Sequence, residues 1–304
     1  MKPFSIKKNL TSVSNLLNNP NLKPRKNLPP LSILSLLFVS ACGGGGGGGG
    51  SSSNQNQPIT NNYSGAVVKG PLQNALVFLD YDNDGIFDVG EPSIRSNSDG
   101  TYTLTGSPGA SFVAQTDSTT VDTSSGEILA DVVLKAPEGS AVITPATTIM
   151  KEANLSKEEV NAVLGLPEDL DPTSFNPFAS DADPVLALQV EKVAQQVMTT
   201  VKSIASAVEG SGGDSASAFK VAMESVVEVV KVKAVAVQQG SSAAEVSIDF
   251  SKSEDLAEIT AKATEVMVEN SVGSTEKFET IKDNVVTAVS NVNTKIEEVQ
   301  DISS

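Results

Sequence analysis

In the second half of the chain, apolar residues recur at steps of three or four, which restricts the backbone there to amphipathic helix. Phe278, Ile281, Val285, Val289, Val292, Ile296 and Val299 hold this spacing over seven positions. Leu186, Val190, Val193, Val197, Val201, Ile204 and Val208 do the same. Two further stripes are Phe219, Met223, Val226, Val230, Ala234 and Val237, then Leu256, Ile259, Ala263 and Val266. Valine favours strands intrinsically, but a strand buries every second residue, whereas a helix buries positions three and four apart. Ser156-x-x-Glu159 is a capping-box signature, with Gly165 and Pro167 closing that helix. Asp183-Pro184 opens the next helix and Gly210–Gly213 ends it. Long amphipathic helices joined by short Gly/Ser segments predict an antiparallel bundle over residues 144–304.

Residues 63–143 read differently. Short apolar runs alternate with turn signals, as strands do. The expected strands are Ala66–Val68, Ala75–Leu79, Tyr102–Leu104, Ser111–Ala114 and Ile128–Leu134, with turns at Lys69-Gly70-Pro71, Asp99-Gly100 and Gly106–Gly109. The expected fold class is therefore α+β, a small N-terminal β-sandwich followed by a helical bundle.

The sharpest chemical signal lies between two of these strands. Counting Asp80 as position 1, carboxylates fall at positions 1, 3, 5, 9 and 12: Asp80, Asp82, Asp84, Asp88 and Glu91. Gly85 stands at position 6, and the Ile86 carbonyl is available at position 7. A hard cation such as Ca²⁺ takes six to eight oxygens, and an EF-hand-type loop supplies them at these offsets. Two features depart from an EF-hand. Phe87 is large for position 8, and Ala75–Leu79 reads as a strand where a helix would precede the loop. The alternative is a solvated acidic turn, in which five like charges within twelve residues repel one another.

The amino-terminal region is organised for export. Six basic residues and no acid precede an apolar run of nine, Leu31–Val39, which is too short to span a bilayer. Val39-Ser40-Ala41-Cys42 resembles the lipobox of bacterial lipoproteins, and Cys42 is the only cysteine of the chain. The resemblance implies cleavage after residue 41, lipidation of Cys42 and anchoring in a membrane; Gly43 at the following position implies the outer membrane. Residues 42–62, with eight glycines at 43–50, read as a flexible tether with a root-mean-square reach of roughly 25 Å. Removing residues 1–41 takes six of the 21 basic residues and none of the 37 acids, which moves the net charge from −16 to −22. Such an anion does not bind nucleic acid.

The stretch from Gly65-Ala-Val-Val-Lys-Gly-Pro71 through Asp80–Pro92 to Ser98-Asp-Gly-Thr-Tyr-Thr-Leu104 resembles the prealbumin-like modules of bacterial surface proteins, the Cna-B, SdrD-B and carboxypeptidase-regulatory-like group. The resemblance covers about 45 residues and implies a β-sandwich acting as stalk or binding domain, with calcium in the loop. The segment Leu134–Met150, then Ala162–Pro167, is similar to a junction between β and helical modules in large Gram-negative surface proteins.

With no histidine and a cysteine committed to lipid, neither Ser-His-Asp nor Cys-His catalysis can be assembled. The glycine run is uninterrupted and lies in the tether, so it is no phosphate-binding loop. The expectation is a non-enzymatic surface interaction or adhesion protein whose partner is an unidentified surface protein or polysaccharide. Two other readings stay open: a carbohydrate-binding or accessory subunit of an envelope enzyme or transport system, and a structural spacer.

Overall fold

The structure, a computed structural model, describes residues 59–301 and is mixed α+β. Its strands are β1 (Asn61–Val67), β2 (Leu72–Gln73), β3 (Leu76–Asp80), β4 (Ser93–Arg95), β5 (Thr101–Gly106), β6 (Ser111–Gln115), β7 (Val121–Asp122), β8 (Val133–Ala136) and β9 (Val142–Ile143). They form a sheet ordered β5-β1-β9, a second ordered β4-β3-β6-β8, and a two-stranded pair β2-β7. All pairings are antiparallel except β1 with β9. In β5 Tyr102, Leu104 and Gly106 are buried and alternate with exposed or half-exposed neighbours, as period two requires. The central strands β3 and β6 are buried on both faces, because the loop after β3 folds back over its sheet and sets the Phe87 ring edge-on to Phe78.

Seven helices follow: α1 (Pro145–Ala153), α2 (Lys157–Leu164), α3 (Pro184–Gly210), α4 (Ser215–Gln238), α5 (Ala243–Val246), α6 (Ser253–Asn270) and α7 (Thr275–Glu297). Their ends follow local chemistry. The Ser156 hydroxyl accepts from the Glu159 amide while the Glu159 carboxylate accepts from the Ser156 amide, so two otherwise orphaned donors are satisfied reciprocally. Gly165 then ends α2 at a φ of 67°, a left-handed conformation that glycine adopts without a Cβ clash. Asp183 caps α3 ahead of Pro184 at its first position. Of the long helices, α3 lies against α4 and α7, and α6 against α4 and α7.

Several sequence readings are corrected. The run Ile128–Leu134 is not one strand: Ile128 makes only an isolated bridge to Val121, Asp131 turns the backbone to a φ of 58°, and β8 starts at Val133. β1 starts at Asn61, so the last two positions read as tether pair with Gly106 and Thr105. The Val292 position of the α7 stripe is 48% exposed, and the neighbouring Asn293 is buried instead. The Asn293 amide donates to the Phe250 carbonyl at 2.7 Å and to Thr200 Oγ1 at 3.3 Å. Cys42 and the glycine run lie outside the described residues. Among the described residues no helix is long and apolar enough to cross a membrane.

One continuous apolar cluster joins strands to helices, from Val67 and Phe112 through Ile149 to Val226 and Phe278. The seam is also hydrogen-bonded. Thr147 and Thr148 of α1 bond the backbone of Lys135, which satisfies the outer edge of β8. Elsewhere on the seam, in the turn after β1, the Lys69 ammonium meets the Asp122 carboxylate at 3.0 Å, with both side chains buried. Burial alone would raise the Asp122 carboxyl. The Ser124 hydrogen bond and the Lys69 charge outweigh it and hold the group below its ordinary value.

Candidate metal centre

β3 ends on Asp80, and the acidic loop hangs between it and β4. The Asp80 side chain is 1% exposed and organises the turn. One of its oxygens accepts from the Asn83 amide at 2.7 Å and the other from the Gly85 amide at 3.0 Å. Asn83 and Gly85 take the positive φ values, 63° and 77°, that bend the chain around this carboxylate. Asp82 accepts from the Asp84 amide at 3.3 Å, and Asp84 from the Ile86 amide at 2.7 Å. Carboxylate oxygens of Asp80, Asp82 and Asp84 lie within 4.8 Å of one another. Burial raises the Asp80 carboxyl above its ordinary value against the lowering effect of the two amide bonds, and Asp82 and Glu91 add to the rise.

The remaining sequence-derived ligands lie outside this trio. Glu91 closes the loop, accepting from the Tyr81 amide at 3.1 Å and the Asp88 amide at 3.0 Å. Both of its oxygens are therefore engaged by backbone. Asp88 and Ile86 are exposed. The donors brought together are hard anionic oxygens, which suit Ca²⁺ or Mg²⁺ and not a soft metal. One fully buried and two exposed carboxylates leave the outer side open to water ligands.

Phe87, the oversized residue at position 8, is explained by its contact with Phe78, with ring centroids 5.5 Å apart. The Tyr81 hydroxyl pins the other side of the loop to the Ser107 carbonyl at 2.9 Å. Several residues around the loop escaped the sequence reading. Asn83 accepts from Lys151 of α1 at 2.8 Å and sits 3.1 Å from the Ser111 hydroxyl. Gln115 donates to the Gly85 carbonyl at 2.9 Å. Lys135, paired with Glu152 at 2.6 Å, stands so close that a Cβ added at Gly85 would lie 2.6 Å from its ammonium. The two lysines partly offset the loop's negative charge. No local signal marks them, because strand order and helix docking bring them to the loop.

Comparison with protein-family models, with curated proteins and with solved structures finds no match to this chain.

Proposed function

We propose that the protein is a non-enzymatic, lipid-anchored interaction protein of the cell surface, whose strand region is braced by Ca²⁺. In this reading the three- and four-stranded sheets are the faces of a small prealbumin-like sandwich, and α3, α4, α6 and α7 form an antiparallel bundle behind it. The observation that carries the reading is the gathering of three carboxylates around the buried Asp80 at the end of β3. Calcium there would neutralise a cluster whose charges otherwise repel one another. Glu91 would complete the set by trading its backbone bonds for the ion.

Extracellular calcium modules have dissociation constants on the order of 10⁻⁴ to 10⁻³ M. An ion that binds only the folded state, at about 100 times that constant, adds roughly 2.7 kcal/mol. Thermal melting of the full chain is therefore expected to shift upward with calcium and downward with chelator, with magnesium a poor substitute. Asp82→Ala is expected to abolish the calcium response while leaving the metal-free protein as stable or slightly more so. Melting unchanged at millimolar calcium would reduce the loop to a solvated turn.

The anchor is tested separately. Cys42→Ser is expected to leave uncleaved precursor or to move the protein from membrane to soluble fractions. A mature chain bearing an unmodified Cys42 would refute the lipid.

A further inference from the structure

The acid of greatest interest outside the loop is Glu191, on the first half of α3, where it faces the strand region. Its side chain is about nine-tenths buried. One carboxyl oxygen accepts from Gln195 at 2.6 Å; the other has no hydrogen-bond partner. Glu191 lines a cavity of about 20 Å³, room for a single water. The other walls, among them Thr144, Leu164, Leu166, Pro177 and Val197, carry no charge.

Two charged groups act on Glu191 through space. Lys69, in the turn after β1, favours its ionised form, and Asp122 of β7 opposes it. The Lys69 ammonium is already bound to Asp122. An ionised Glu191 therefore has no free counter-charge, and a lone water is a poor substitute for bulk solvent. A neutral Glu191 carries one proton and fits the seam at much lower cost. We propose that Glu191 is a proton-operated latch on the seam between α3 and the strand region, closed when protonated and loosened when ionised.

The sign follows from burial. Desolvation pushes the Glu191 carboxyl up from 4.5 to about 7, more than Gln195 and Lys69 pull it down. A raised acid is protonated in the closed state where the open state is already ionised, so closure weakens as pH rises between those two values. From pH 5.5 to 8.5 the opening equilibrium should grow about thirtyfold.

Amide hydrogen exchange of the full chain, corrected for intrinsic exchange, reads this directly. Protection of residues 67–72, 121–124 and the first half of α3 is expected to fall about thirtyfold across that interval. Glu191→Gln, which keeps the shape and cannot ionise, should hold protection constant. Equal pH dependence in the two proteins, or constant protection in the native one, overturns the latch. The carbon NMR titration of the Glu191 carboxyl supplies a test that needs no variant. A midpoint near 7 supports the proposal, and one near 4.5 overturns it.

Discussion

Replacing Lys69 by alanine is expected to cost about 3–5 kcal/mol of folding stability, the usual loss when one member of a buried ion pair is removed. The reason is the residue left behind. Asp122 is fully buried, and its ionised form is held by the Ser124 amide at 3.0 Å and hydroxyl at 2.6 Å as well as by Lys69. Without the ammonium, a carboxylate remains in the seam with only neutral donors around it. Urea denaturation measures the loss. The double variant Lys69→Met with Asp122→Asn should recover much of it, because the amide oxygen can still accept from Ser124 and no charge is stranded. A loss under 1 kcal/mol for the single variant would mean that water reaches Asp122 in solution. Glu191 provides an internal check. Since Lys69 pulls its carboxyl down, removing the lysine should move the Glu191 midpoint further up.

The second large effect is expected at Phe112. This ring, the second residue of β6, is 1% exposed, edge-on to Tyr63 at 5.3 Å and tilted against Tyr102 at 6.3 Å. Phe112→Ala removes the ring from a site that β1, β3 and β5 surround, so the void cannot collapse readily, and a loss of about 3–5 kcal/mol is expected. Val89→Ala is the control. That side chain is fully exposed, and its removal should stay within about 0.5 kcal/mol. Comparable losses for the two variants would show that Phe112 does not sit in a rigid core.

The helices were the most legible part of the sequence. The α3 stripe is buried or half-buried from Leu186 to Val208, and Ser156, Gly165 and Asp183 mark ends where the backbone starts or stops. Caps and periodicity are local, and so readable. Legibility failed where tertiary contact decides. Asn293 is buried because the Phe250 carbonyl needs a donor at that point, which no helical spacing encodes. The short strands β2, β4, β7 and β9 were missed because two or three residues carry no period. In the acidic loop, the residues that the spacing singles out, Asp80, Asp82 and Asp84, lie near one another, and Gly85 stands at a bend of positive φ. It could not show that Glu91 spends both oxygens on backbone, or that Lys135 and Lys151 stand beside the loop. The Lys69–Asp122 pair spans 53 positions, and Glu191 meets it only because α3 lies across the seam.

The position of β1 has a mechanical consequence. Residues 59 and 60 lead into this strand, so any pull along the chain from the amino-terminal side enters the fold there. β1 is the middle strand of its sheet, zipped antiparallel to β5 over six residue pairs and held on its other side by β9, which runs parallel to it. β9 leads within two residues into α1. Tension would therefore be shared between two neighbours before any helix felt it. Rupture should begin as the sliding of β1 out of its slot, with the helical half still folded.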